Sequence, residues 1–134
     1  MRGLLLLLLA TVLAACAGSR EPRPDVVAIQ DFVEVSELEE VDRIRTDRAD
    51  GFDELNLRYI IYNTRRQDYL VEFNRDCWEI RDAFDIRPDH RHDINYIRPR
   101  VDTIRGCTIH RAFKLNEGQV EELKAMGEAP NRGD

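Results

Sequence analysis

Two apolar runs, six polar residues apart, do most to limit what this chain can fold into. Leu55, Leu57, Tyr59 and Ile61 alternate on one side of an extended segment, and Ile60 and Tyr62 lie on the other. After Asn63–Asp68, the residues Tyr69, Val71 and Phe73 alternate again, opposite Leu70. This pattern predicts an antiparallel hairpin. Apolar residues on both sides place the hairpin inside a sheet, or in a sheet that curls on itself. Val101–Ile104 and Thr108–Phe113 read as two further strands separated by Arg105-Gly106. Ile109, Arg111 and Phe113 then share one side, so Arg111 is either paired or at the rim of the sheet. Asn116-Glu117-Gly118-Gln119 opens a last helix, with Asn116 as cap, Gln119 completing a capping box, and Val120, Leu123 and Met126 as its apolar stripe. Gly127 ends it. The fold class expected is α+β: a small antiparallel β-sheet, curled or barrel-like, with a short C-terminal helix.

Other segments carry weaker patterns. Val26, Ile29, Phe32 and Val33 have helical spacing after a cap at Asp25, while a strand over Asp31–Val35 fits the same residues. Val41–Arg45 alternates as a short strand. Asp47–Glu54 is a loop by composition. Its acidic residues do not have the spacing of a calcium loop, which needs carboxylates at alternate positions before the glycine. Cys77–Ala83 can form a turn of helix, with Trp78 its bulkiest residue. Asp85–Arg100 is loop-like, broken by Pro88 and Pro99, and contributes little core.

The first residues are of another kind. Met1-Arg2-Gly3 precedes an apolar run, Leu4–Leu13, too short to span a bilayer. Leu13-Ala14-Ala15-Cys16 follows, and resembles the bacterial lipobox. That resemblance implies alkylation of the Cys16 thiol by diacylglycerol, cleavage before Cys16 and acylation of the new amine. Two or three acyl chains would hold the protein permanently on a membrane. Ala17, in place of Asp, favours the outer membrane over the inner. The expected organisation is a lipoprotein signal peptide at 1–15, a lipidated N-terminus and tether at 16–24, a single periplasmic domain at 25–128 and a disordered tail at 129–134.

Charge narrows the partners. The chain has 20 basic and 26 acidic side chains, and loss of Arg2 leaves a net charge of 19 − 26 = −7. An anionic domain does not suit nucleic acid. With Cys16 used for lipid, Cys77 and Cys107 are left in an oxidising compartment, where two such thiols pair as a disulfide. A reactive redox pair and metal thiolates are the rival readings; neither cysteine belongs to a Cys-x-x-Cys motif or has a histidine at zinc-finger spacing.

Tyr69-Leu70-Val71-Glu72-Phe73, the nearby Cys77, Asp102, and Cys107-Thr108-Ile109 together resemble small uncharacterised proteobacterial lipoproteins grouped as a domain-of-unknown-function family. The resemblance covers residues 28–115. It implies an extracytoplasmic, lipid-anchored domain with a paired-cysteine core, and it supplies no reaction.

Little catalytic chemistry is legible. Serine occurs only at Ser19 and Ser36, outside any nucleophile-elbow motif. His90 and His92, in Asp89-His90-Arg91-His92-Asp93, point the same way in extended chain and are weak candidates for zinc or copper ligands, with His110 or Asp93 as a third. Arg91 between them opposes a cation. No cofactor is expected. The reading that follows is a lipid-anchored, periplasm-facing envelope protein with a non-enzymatic domain that binds an envelope protein or cell-wall component. The alternative is a small-ligand or metal-binding domain. The first predicts exposed aromatic residues around the sheet, with Tyr62, Tyr69 and Trp78 as candidates. The second predicts a concave pocket with convergent polar groups.

Overall fold

A computed structural model describes residues 23–46, 49–81, 83, 86, 88–89 and 93–126. The lipobox with Cys16, the tether up to residue 22, His90, His92, Gly127 and the tail lie outside the described residues. In chain order the elements are α1 (Val26–Val35), β1 (Ile44–Arg45), β2 (Ala49–Glu54), β3 (Tyr59–Thr64), β4 (Asp68–Phe73), a 3-10 turn (Trp78–Ile80), β5 (Pro88–Asp89), β6 (Tyr96–Ile97), β7 (Thr103–Ile104), β8 (Cys107–Leu115) and α2 (Glu117–Ala125). Six strands pair antiparallel in the order β2-β3-β4-β8-β7-β5, and β1 pairs with β6 separately. The sheet curls into a half-barrel, so the α+β expectation holds.

The hairpin expected from the alternation is β3–β4, with Tyr62 opposite Tyr69. Both strands are internal, which is why both sides carry apolar residues. Tyr59, Ile61, Leu70, Phe113 and Leu115 face α1 and α2. Ile60, Tyr62, Tyr69, Val71 and Phe73 face the opposite way, toward Cys77 and Cys107. We call these the helical face and the disulfide face.

Between Asp25 and Ser36 the helical spacing prevails over the strand alternative, because Ile29, Phe32 and Val33 are buried together on the sheet. Asp25 occupies the cap position but makes no side-chain cap bond. The helix ends with Glu37 at a φ of 48°, and Leu38 and Glu37 donate back to Val33 and Glu34, a left-handed stop of the Schellman type. In α2 the capping box is complete: Asn116 Oδ1 accepts from the Gln119 amide at 2.9 Å, and Gln119 Oε1 accepts from the Asn116 amide at 2.9 Å.

Four sequence expectations change. The acidic stretch read as a loop forms β2 over Ala49–Glu54, because β3 supplies a pairing edge that overrides its poor strand composition. Leu55 and Leu57 do not extend β3. Asn56 Oδ1 accepts from the Arg58 and Tyr59 amides and makes a turn there. The stretch read as a coreless loop holds β5 and β6 and buries Ile86 and Ile97. Finally, Ile109 does not share a side with Arg111 and Phe113. Glu72 is opposite Arg111 but Phe73 is opposite Ile109, so His110 is an extra residue, a β-bulge that reverses the alternation.

The β7–β8 connection is a two-residue hairpin in which Arg105 (φ 49°) and Gly106 (φ 81°) both have positive φ. That is the type I′ geometry matched to strand twist. It sets Cys107 opposite Ile104, at the start of β8.

Candidate functional site

Cys77 lies just after β4 and Cys107 at the first position of β8. The β4–β8 pairing brings their Cα atoms to 5.9 Å, and they form a disulfide. Both are fully buried. Glu79 places a carboxylate oxygen 3.1 Å from Cys107 Sγ. Its other contacts fix it there: Arg75 donates to both carboxylate oxygens, at 2.7 and 3.2 Å, and holds that carboxyl below its usual range. Arg105 Nε donates to the Glu79 carbonyl at 3.0 Å. The ligand atoms of Cys77, Glu79 and Cys107 lie within 4.8 Å of one another. A metal would need thiolates there, and the bridge occupies both sulfurs.

Beyond this corner the surface opens. A cleft of about 640 Å³ runs along β2, from Ala49 to Glu54, with Tyr62, Ile80 and Ile86 as its buried lining and Phe52 beside them. β2 is the terminal strand of the sheet, so one of its edges has no strand partner among the described residues. Asp50 is the extra residue of a bulge there, next to Gly51 at a φ of 149°. Asp53 is tied to β3 and to α2: Asn63 Nδ2 and Lys124 Nζ each lie 3.0 Å from its carboxylate. Burial raises the Asp53 pKa, but those two hydrogen bonds outweigh it and hold the carboxyl below its usual range. The described lining offers carboxylates, one tyrosine and apolar side chains. It holds no thiol, imidazole or serine hydroxyl.

A polar row crosses the helical face. Tyr59 is opposite Glu72, and Glu72 is opposite Arg111. Glu72 is buried, and Arg111 Nε donates to its carboxylate at 2.8 Å. Burial disfavours the Arg111 charge, yet Glu72 more than offsets this and raises its pKa. The guanidinium also lies 5.1 Å over the Phe113 ring. The Tyr59 hydroxyl is buried beside Glu72 and Gln30, with no hydrogen bond of normal geometry. Burial first, and the Glu72 carboxylate second, push its pKa up to about 12. Arg111 is therefore paired, not at a rim.

The aromatic residues divide. Tyr62 and Tyr69 are buried in the disulfide-face core, which corrects their expected exposure, because the sheet curls over them. Trp78 is 59% exposed. Of the metal candidates, Asp93 is half-buried and binds the Asn95 amide at 2.9 Å, and His110 is exposed on the bulge; His90 and His92 lie outside the described residues. Asp102, part of the motif pattern noted above, is buried and accepts from the Arg98 amide at 2.7 Å. The cleft along β2 was not legible, because its wall read as a polar loop.

A family model, described as a family of unknown function (DUF6491), matches residues 1–130. No curated protein matches the chain, and no solved structure does either.

Proposed function

We propose, for a chain that belongs to the DUF6491 family of unknown function, a lipid-anchored cell-envelope protein whose domain binds another envelope protein or a cell-wall component and catalyses no reaction. The anchor is Cys16, the membrane is the outer membrane, and the domain faces the periplasm. The matched span includes Leu13-Ala14-Ala15-Cys16, and no helix among the described residues is long and apolar enough to cross a membrane.

The observation that carries the binding assignment is the cleft along β2, a strand whose outer edge has no strand partner among the described residues. Unpaired backbone groups on a sheet edge recruit an extended segment of a partner, and alternate side chains of that segment enter the adjoining pocket. The buried lining from Tyr62, Ile80 and Ile86 offers apolar contact to that segment. A small ligand is the second reading, since about 640 Å³ lies within the range of small-molecule pockets.

The test is photo-crosslinking in cells, with a photoreactive amino acid replacing Phe52 in the cleft or Glu121 on exposed α2. Binding predicts a discrete protein or glycan adduct from position 52 alone. Equal adducts from both positions, or none from position 52, would sink the assignment. Palmitate incorporation into a Cys16→Ser protein would separately defeat the anchor.

A further inference from the structure

A second cleft, of about 390 Å³, lies where the chain enters the domain. Arg23, Arg58 and Arg81 line it, along with Asp25 and Asp76. Arg58 is ion-paired with Asp76 at 3.9 Å and its Nη2 donates to the Asn74 carbonyl at 3.2 Å, while its buried Nε makes no hydrogen bond. Arg81 meets no carboxylate among the described residues and lies 4.9 Å over the Trp78 ring. Arg23 is ion-paired with Glu54. A buried N–H without an acceptor is costly, and an anion within reach of Nε would relieve that cost.

The surroundings identify the anion's source. Trp78 and, at 57% exposure, Val27 are among the few large apolar side chains left in solvent, and they neighbour the cleft residues Arg81 and Val26. Exposed tryptophan, aliphatic and arginine side chains together suit a membrane–water interface. Only six residues lie between Cys16 and Arg23, so over seven steps of about 3.5 Å the cleft stays within about 25 Å of the anchor. A tether that short gives millimolar effective concentration, so even a weak headgroup contact is well populated. The domain as a whole is anionic, so it can approach a lipid surface only through a locally cationic patch.

We propose that this end of the domain is a membrane-contact face, in which the Arg23–Arg58–Arg81 cleft takes the phosphate of a lipid headgroup while Trp78 sits at headgroup depth. The proposal rests on the Cys16 anchor proposed above. It gives the domain an orientation: Arg23 and Glu54 link the two clefts, and the β2 cleft extends from that link away from the bilayer.

Trp78 is the only tryptophan in the chain, and serves as the probe. Full-length protein, its acylation checked by mass, is reconstituted into phosphatidylcholine vesicles with or without phosphatidylglycerol. Each composition is prepared with and without lipids brominated near the headgroup. The brominated-to-unbrominated emission ratio cancels any direct effect of losing the stacked guanidinium. Strong quenching is expected, greatest with phosphatidylglycerol. Arg81→Gln should lower the docked-to-undocked ratio about fivefold, the effect of one arginine at an anionic surface. Arg58→Gln should act in the same direction. Both variants should float with vesicles as the parent does. A parent that floats with Trp78 unquenched overturns the face and leaves the anchor standing. A parent without acyl chains that fails to float removes both. Quenching that ignores the arginine variants reduces the contact to apolar insertion and overturns the phosphate site. A Trp78 response to inorganic phosphate alone, with no quenching by brominated lipid, makes the anion a free one and overturns the membrane source.

Discussion

On the helical face, α1 and α2 lay Ile29, Phe32, Val33, Val120 and Leu123 over the sheet. On the disulfide face no α-helix among the described residues does this. Ile44, Ile80, Ile86, Ile97 and Ile104 come from two-residue strands and turns, with the Cys77–Cys107 bridge among them. Both faces bury isoleucine and aromatic side chains completely. They differ in what holds the cover on. Helices hold each other by local hydrogen bonds and an apolar stripe. Two-residue strands cannot, so the second cover depends on covalent closure of a loop of 30 residues. Both candidate clefts border this second cover, at Ile80 and Arg81. The arginine cleft also reaches the start of α1, at Asp25 and Val26.

This comparison can be broken most directly on the helical side. Phe32→Ala empties a site 5% exposed between α1 and the sheet, and should destabilise the domain by about 3–5 kcal/mol in urea titration. A loss under 1 kcal/mol would mean that α1 is not part of the cooperative core. Reduction of the bridge comes next, at about 3.6 kcal/mol for a loop of 30 residues. Hydrogen exchange should then rise first in residues 93–104 and later in α1 and α2. Uniform acceleration would show that the two faces do not differ in what holds them.

A smaller effect separates burial from bonding. Tyr59 ionises at about 12 folded and about 10 unfolded. The folded state therefore retains a proton that the unfolded state loses. Stability is unaffected below pH 10 and falls as pH rises from 10 to 12, by on the order of 2 kcal/mol. Tyr59→Phe should abolish that slope and leave neutral-pH stability unchanged or slightly higher, since the hydroxyl has no normal hydrogen bond to lose. A large loss at pH 7 would falsify this reading of the hydroxyl. The smallest change is Asn116→Ala, which removes the α2 capping box and should cost about 1 kcal/mol. Its effect should be confined to the helical face, as amide exchange in α2 would show.

Local chemistry was legible and long-range geometry was not. The β3–β4 alternation and the Asn116–Gln119 cap each follow from a few residues acting in one place, and the Cys77–Cys107 pairing from two thiols being left in an oxidising compartment. β2 was hidden because Asp50, Gly51, Asp53 and Glu54 have poor strand propensity and are extended only through pairing with β3. Ile86 and Ile97 looked isolated among prolines and charges, and their burial depends on β5–β7 and β1–β6 pairing across long separations. The buried tyrosines followed from curvature, which periodicity does not encode. The β2 cleft and the arginine cleft join residues up to 58 positions apart, Arg23 to Arg81, so no motif scan assembles them.

The extra residue at His110 works as a phase shift along β8. Upstream of it, Cys107 and Ile109 feed the stapled layer; downstream, Arg111, Phe113 and Leu115 feed the helical one. One continuous strand is thereby written in two frames. Removing that single residue would merge the frames, and no register could then satisfy both layers. If Glu72 kept Arg111, Cys107 would turn away from Cys77; if the bridge survived, Arg111 would be driven into the apolar side. Among related chains, insertions and deletions at this position should therefore be far rarer than its exposed location would otherwise allow.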